Sequence, residues 1–444
     1  MINKPRILFV ADKWCSGNID WGLSAWEGNL WQSLQAVNLA EVEVFHFDEY
    51  YRTTGTKGDE ALLSKIAEFR PQLICLVIYN FPDAVNTPSL KTLETIKKRF
   101  SIPFFAIWGD FECEILVKIS DVFQPFIDFN MFTATSVVFR RMKDPQKFSY
   151  FWVPKNPEYF YDPGRERDID LSYPGSTKLA RLRRIKYLEK HGLKVYRAGG
   201  EHEEHLPIAE FAEIFQRSKI VLSFSCPGYI PVTNARAFEV TNCGAMLLEE
   251  AAPETAKLFI PNVDYVPYFS NADLLKKARY YLKNEAERVR IAHNGYVKTK
   301  QYYSARRFWK IVLDKTEELI SSATPGKLFK RDYPYQLDQA DDQSILANWG
   351  RKTIEFPWPR LRSLPFFQAL SLKITDWFLS HKLSYCFYLW YQRITDWRWL
   401  LFKCSYVCFK AARPILPKRL GERLKESLKP CLKLIIDKIL WKVS

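Results

Sequence analysis

What most constrains this chain is a rhythm of short apolar runs separated by amphipathic helical stretches. RILFVAD (6–12), VEVFHF (42–47), QLICLVIY (72–79) and PFFAIWGD (103–110) are strand-length, with LLSKIAEF and LKTLETIKKRF at helical period between them. Strands apolar on both faces need cover on both faces, which a parallel sheet flanked by helices supplies. A second series of the same kind begins near Asp168. DIDLSYPG is followed by an Arg-rich helix from Lys178, LKVYRAGG (193–200), the helix IAEFAEIFQRS, the strand KIVLSFS (219–225), then ARAFEVTNCGAMLLEE (235–250). Pro154, Pro157, Pro163 and Gly164 lie between the two series and read as a linker. Residues 271–321 read as helices, and no internal sequence repeat is evident.

The fold class is therefore α/β, with two doubly wound Rossmann-like domains facing across a cleft. The boundaries read from the sequence are 1–155 for the first domain, 165–321 for the second, 322–350 for a polar connector and 351–444 for a basic helical extension. At 444 residues a single core is not expected, and 47% apolar with 26% charged residues excludes a disordered chain. The nine cysteines are scattered with no CxxC pair, which points to a reducing compartment and no disulfide framework. MINKPRILFVADKW has too short an apolar run and no small-residue cleavage site, so it does not read as a signal peptide.

Open parallel sheets bind ligands where strands hand over to helices. Two such joints carry the right chemistry. In YPGSTKLARLRR, Gly175 closes a strand, Ser176 and Thr177 are placed to cap a helix, and Lys178 and Arg181 sit in its first turns. Backbone N–H groups at a helix start, with cations beside them, make an anion site, although a solvated basic helix face has the same pattern. In CPGYIPVTNARAFEV, Thr233 or Asn234 caps a helix, Arg236 occupies its first turn, and Glu239 lies one turn deeper on the same face. An Arg gains nothing from the positive end of a helix dipole, so its placement points to an external anion. A carboxylate one turn deeper suits two ribose hydroxyls. The competing reading is an internal Arg236–Glu239 pair, worth only about 0.3–0.5 kcal/mol if exposed. EHEEH (201–205) lacks the HExxH spacing, and Cys404 with Cys408 lacks partners.

The order SKIVLSFS, TNARAFEVTNCGAMLLEE, FIPNVDYVPYFSNADLLKKARYYLKNEAERVRIAHNGY and SARRFW resembles the C-terminal half of CgeB-like (spore maturation protein-like) glycosyltransferases. These are group-1 glycosyltransferases of the two-domain GT-B fold. The resemblance covers about residues 100–320, and IPFFAIWGDFE carries it more weakly on the N-terminal side. It implies transfer of a sugar from a nucleotide-sugar donor to a hydroxyl, with Glu239 on the donor ribose and Arg236 and Arg181 facing the diphosphate. Gly175, Ser176, Lys178 and Asn234 would complete the donor side. Asp110 matches an acidic position on the acceptor side, with Glu112 the second candidate for a base if the reaction inverts. The second glutamate that many group-1 enzymes place eight positions before the ribose carboxylate is Pro231 here. The resemblance therefore fixes no stereochemical outcome, and a non-catalytic nucleotide-binding scaffold or a nucleotide-sugar epimerase remains open on the same architecture. No metal or other cofactor is expected, since cations and helix N-termini can neutralise the leaving diphosphate.

Charge separates the end of the chain from the rest. From Arg351 onward there are 19 Lys and Arg against 6 Asp and Glu, whereas residues 1–350 carry 46 against 44. Aromatics crowd 356–410, and LGERLKESLKPCLKLIIDKILWKVS sets a Leu/Ile face against lysines. That pattern predicts a cationic amphipathic surface for anionic lipid. It places the protein in the cytoplasm, peripheral on the inner face of the cytoplasmic membrane, with an envelope glycan or lipid-linked acceptor. Packing of the same face on the protein or a second copy, or binding of single-stranded nucleic acid, are the alternatives. Nucleic acid ranks last, because a phosphate backbone does not require a continuous apolar face.

Overall fold

The structure, a computed structural model, describes residues 4–78, 80–82, 84–108, 114–132, 147–150, 152–175, 179–199, 206–224 and 233–321. Both sheets lie in one compact unit, Met1–His381. The first sheet holds β1 (Arg6–Ala11), β2 (Glu41–His46), β3 (Leu73–Val77), β4 (Phe104–Trp108), β5 (Phe129–Phe132) and β6 (Phe148–Tyr150) in the order β2-β1-β3-β4-β5-β6. The second holds β7 (Ile169–Pro174), β8 (Tyr196–Ala198), β9 (Ser218–Ser223), β10 (Met246–Glu250) and β11 (Val266–Tyr268) in the order β11-β10-β9-β7-β8. Every pairing is parallel. The two doubly wound sheets are those the apolar runs predict. LICLV and FFAIW are buried at every position, because helices cover both faces of those central strands.

Local chemistry sets the helix ends. Ser89 caps the helix Leu90–Phe100 by accepting from Thr92 N–H, and Asn234 caps Ala235–Asn242 by accepting from Arg236 N–H at 3.2 Å. In each sheet the chain leaves its first strand toward one edge and returns to build the other. The reversal points fall between β1 and β3 and between β7 and β9, the positions at which open parallel sheets form ligand crevices.

The first part of the segment between the two series, 152–156, is buried, whereas Pro157 and Gly164 further along are exposed. Trp152, Val153, Lys155 and Asn156 are all buried, and the Trp152 ring meets Tyr303 and Phe308 edge-on at 5.5 and 5.8 Å. Its prolines give the right composition for a connector, but the Trp152 side chain needs cover, which the last described helix and the turn before it supply. That helix, Ala305–Ser321, reaches back to the first lobe. There the Trp309 indole N–H donates to Ser33 Oγ at 2.8 Å, and its ring meets Phe9 edge-on at 5.6 Å. One apolar cluster consequently runs from Ile7 and Phe9 through Trp309 to Phe215 and Val221.

Candidate functional site

The second lobe builds its crevice from the ends of β7 and β9. Gly175 follows β7 with φ +118°, and its N–H donates to Ala198 O at 2.8 Å. Across the reversal point, the helix Ala235–Asn242 starts at the Asn234 cap and carries Arg236 in its first turn. The Arg236 guanidinium lies over the Tyr173 ring, 4.7 Å from its centroid, and Nη2 sits 2.6 Å from where a Cβ on residue 175 would be. Backbone conformation and lack of space both demand glycine at 175. The ring and the glycine together hold the guanidinium in the crevice. Its Nε is buried without a hydrogen-bond partner, and among the described residues the guanidinium forms no ion pair. A half-buried cation arranged this way is costly for folding alone and fits recognition of an anion.

Glu239, one turn along, does not bond Arg236. Its Oε1 accepts from Lys155 Nζ at 2.8 Å, with the Lys155 side chain 1% and the Glu239 side chain 11% exposed. The internal Arg236–Glu239 pair weighed from the sequence is therefore not formed. Arg236 leans toward β7, while Glu239 meets the segment that enters the second lobe. Lys155, the partner of this candidate residue, is one that sequence reasoning missed; its only signal was a lysine between two prolines. Arg181 is half-buried in the first turn of Leu179–Lys190. Arg184 on that helix forms a bidentate pair with Glu250 at the end of β10 and faces the Phe224 ring at 5.6 Å. Ser176, Lys178, the 201–205 histidines and Pro231 lie outside the described residues.

The first lobe has a matching reversal point. Asp12 follows β1, and both its oxygens accept from Asn86 Nδ2, at 2.9 and 3.2 Å, across the β1/β3 reversal. Asn80 Nδ2 donates to Asn86 Oδ1 at 3.2 Å and fixes the amide's orientation. Asp48, at the start of the helix Phe47–Thr54, accepts from the Lys13 and Trp14 amides, each at 2.9 Å. Burial first, and then the Asp48 charge, push the Asp12 carboxyl up to about 7 against the lowering influence of Asn86 and His46. His46 is paired with Glu27, which also accepts from the Trp31 indole. Asp110 and Glu112, the sequence candidates for this lobe, lie outside the described residues.

Among the described residues no group of three or more His, Cys, Asp or Glu is arranged to hold a metal ion. Nor is any described helix long and apolar enough to cross a membrane. The extension 351–444, with its amphipathic pattern, falls outside the described residues.

Residues 175–314 match a protein-family model described as glycosyl transferase-like, a span that begins at Gly175 and includes Arg236 and Glu239. No curated relative matches the sequence. Among solved structures, the chain resembles sucrose-phosphate synthase from Thermosynechococcus elongatus at 13% identity and a TM-score of 0.49, over 72% of this chain and 100% of that one. It also resembles HepE from Anabaena, solved with UDP and glucose, at 12% identity and 0.46, over 71% and 100%. A third likeness is to the β-glucosyltransferase of T4 phage, solved with UDP-glucose, at 12% identity and 0.46, over 70% and 99%. The glycosyl transferase-like match falls within the second lobe, which shares the chain with another doubly wound sheet.

Proposed function

We propose that the chain is a glycosyltransferase, of the CgeB-like kind its sequence resembles, that takes a sugar from a nucleotide-sugar donor bound by the second lobe. The observation that carries this reading is Arg236. A guanidinium held by an aromatic face and a glycine at a sheet reversal, inside the segment matched to glycosyl transferases, is suited to a donor diphosphate. Glu239 takes the ribose hydroxyls on the oxygen that Lys155 leaves free, and the lysine holds the carboxylate in one orientation. In this reading Gly175, Ser176, Lys178, Arg181 and Asn234 are the further donor-side residues that the sequence points to.

The anomeric carbon loses its bond to the diphosphate while an acceptor hydroxyl attacks. Charge accumulates on the departing phosphate oxygens, and the chain's cations and the first N–H groups of the helix Ala235–Asn242 stabilise it in place. No metal is required for that neutralisation. The acceptor sits over the first lobe. We assign it to the envelope-glycan or lipid-linked class, because the basic, Leu/Ile-faced extension 351–444 suits the anionic inner surface of the cytoplasmic membrane.

Two experiments test this. Calorimetry with UDP, GDP, ADP and dTDP should find one that binds, and Arg236→Ala should weaken it by tenfold or more; failure of all four to bind, or binding untouched by the substitution, overturns the donor site. Flotation with anionic vesicles should be lost when 351–444 is deleted. Retained flotation refutes the membrane assignment.

A further inference from the structure

Transfer with inversion needs a group that accepts the proton of the attacking hydroxyl, and the first lobe offers a specific one. We propose that Asp12 is that base. The inference rests on the glycosyltransferase reading and adds the residue and the stereochemistry.

Four observations carry it. Asp12 stands at the β1/β3 reversal, the place in the first sheet that corresponds to Gly175 and Arg236 in the second. Among the described residues Asn86 is its sole hydrogen-bond donor, through one Nδ2 shared by both oxygens, so each oxygen keeps acceptor capacity toward a substrate hydroxyl. Its neighbours are already committed. Asp48 accepts from the Lys13, Trp14 and Glu49 amides, Glu49 is taken by Arg52, Lys13 and the Trp14 indole, and His46 is taken by Glu27. Gly17 brings its loop over the pair, with its Cβ position 3.4 Å from Asn86 Nδ2 and 3.8 Å from Asp12 Oδ2, which limits water on that side.

The groups facing Asp12 set its proton affinity from each packed element. Asp48 raises it from the start of the helix after β2, His46 lowers it from the end of β2, and Asn86 lowers it from the stretch after β3. Desolvation exceeds them all, so the carboxylate takes a proton near neutrality. A base of that strength combines a populated ionised form with real proton affinity. In the step, the acceptor O–H bond breaks and its proton passes to an Asp12 oxygen. The oxygen's electron pair forms the new C–O bond at the anomeric carbon, and the old C–O electron pair leaves with the nucleoside diphosphate. Asp12 then returns the proton to solvent. The product anomer is inverted.

The test uses the full-length protein, with UDP-, GDP-, ADP- and dTDP-linked hexoses as donors and water as the acceptor. It reads nucleoside diphosphate release between pH 5 and 9 and the first-formed anomer by NMR. The wild type should show activity rising with pH through an acid limb near 7. Asp12→Asn should lower kcat by roughly 10²–10⁴-fold and abolish that limb, with nucleoside diphosphate affinity by calorimetry within twofold of wild type. Asn86→Ala, which removes a lowering influence, should move the limb to higher pH. Wild-type turnover that Asp12→Asn leaves within threefold, a first-formed anomer of retained configuration, or a limb that vanishes in Asp110→Asn and not in Asp12→Asn overturns the assignment while leaving the glycosyltransferase reading intact. A wild type that neither binds nor cleaves any of the donors overturns both.

Discussion

Replacing Lys155 by Met isolates the buried contact that orients the Glu239 carboxylate. Lys155 Nζ lies 2.8 Å from Glu239 Oε1, with side-chain exposures of 1% and 11%. Methionine keeps most of the lysine stem's volume, so the packing against Phe160 changes little. What changes is charge: Glu239 stays buried with no cation. Breaking a buried pair by removing one partner costs about 3–5 kcal/mol, because the remaining ion has lost both water and partner. At roughly 2–4 °C per kcal/mol for domains of 150–250 residues, the melting temperature should fall by about 6–20 °C. Adding Glu239→Gln to Lys155→Met removes the stranded charge, and the double variant should recover a large part of the loss. A double-mutant cycle read by urea unfolding should then give a coupling energy of at least about 2 kcal/mol. Additive costs, or a Lys155→Met penalty below about 1 kcal/mol, would refute the picture of a desolvated pair fixing the carboxylate.

Gly175→Ala should be harmful on two counts: φ +118° strains any side chain by about 1–3 kcal/mol, and the new Cβ, 2.6 Å from Arg236 Nη2, displaces the guanidinium. Nucleoside diphosphate affinity should drop with it; unchanged affinity would mean the guanidinium does not serve the ligand from that position. Trp309→Ala should cost about 3–5 kcal/mol and Ser33→Ala about 1–3 kcal/mol, the latter from leaving the indole N–H unsatisfied, both seen as lower urea midpoints. Because Asp12 takes up its proton at higher pH in the folded chain than unfolded, the folded state binds more protons between about pH 4 and 7, and stability must fall as pH rises through that window. Asp12→Asn should therefore gain stability relative to wild type above pH 7 and lose that advantage below pH 4; a difference that stays flat with pH would remove the shifted titration.

The legible parts of the molecule were those with local signatures. Continuous apolar runs gave away the central strands, since LICLV and FFAIW have no polar face to alternate with. The helix Ala235–Asn242 announced itself through Asn234 at its start and Gly244, at φ +67°, just past its end. Arg236 could be singled out because a cation there contradicts the helix dipole. The partners were not legible, because they meet across the chain without periodic trace. Lys155 and Glu239 are 84 residues apart, Asn86 and Asp12 are 74 apart, and Trp309 and Ser33 are 276 apart. Prolines disguised the buried segment around Lys155 as a connector. Asp12 was in view at the end of RILFVAD, yet a strand-end carboxylate gives no sign of its burial until the loop carrying Gly17 is folded over it.

A crystal structure of the chain with the best-binding of UDP, GDP, ADP and dTDP tests the central claim most directly. The account predicts diphosphate oxygens within hydrogen-bond distance of the Arg236 guanidinium beside Gly175, and ribose hydroxyls on Glu239 with Lys155 still in contact. A nucleotide bound elsewhere, with Arg236 still lying on Tyr173 and touching no phosphate, would contradict it.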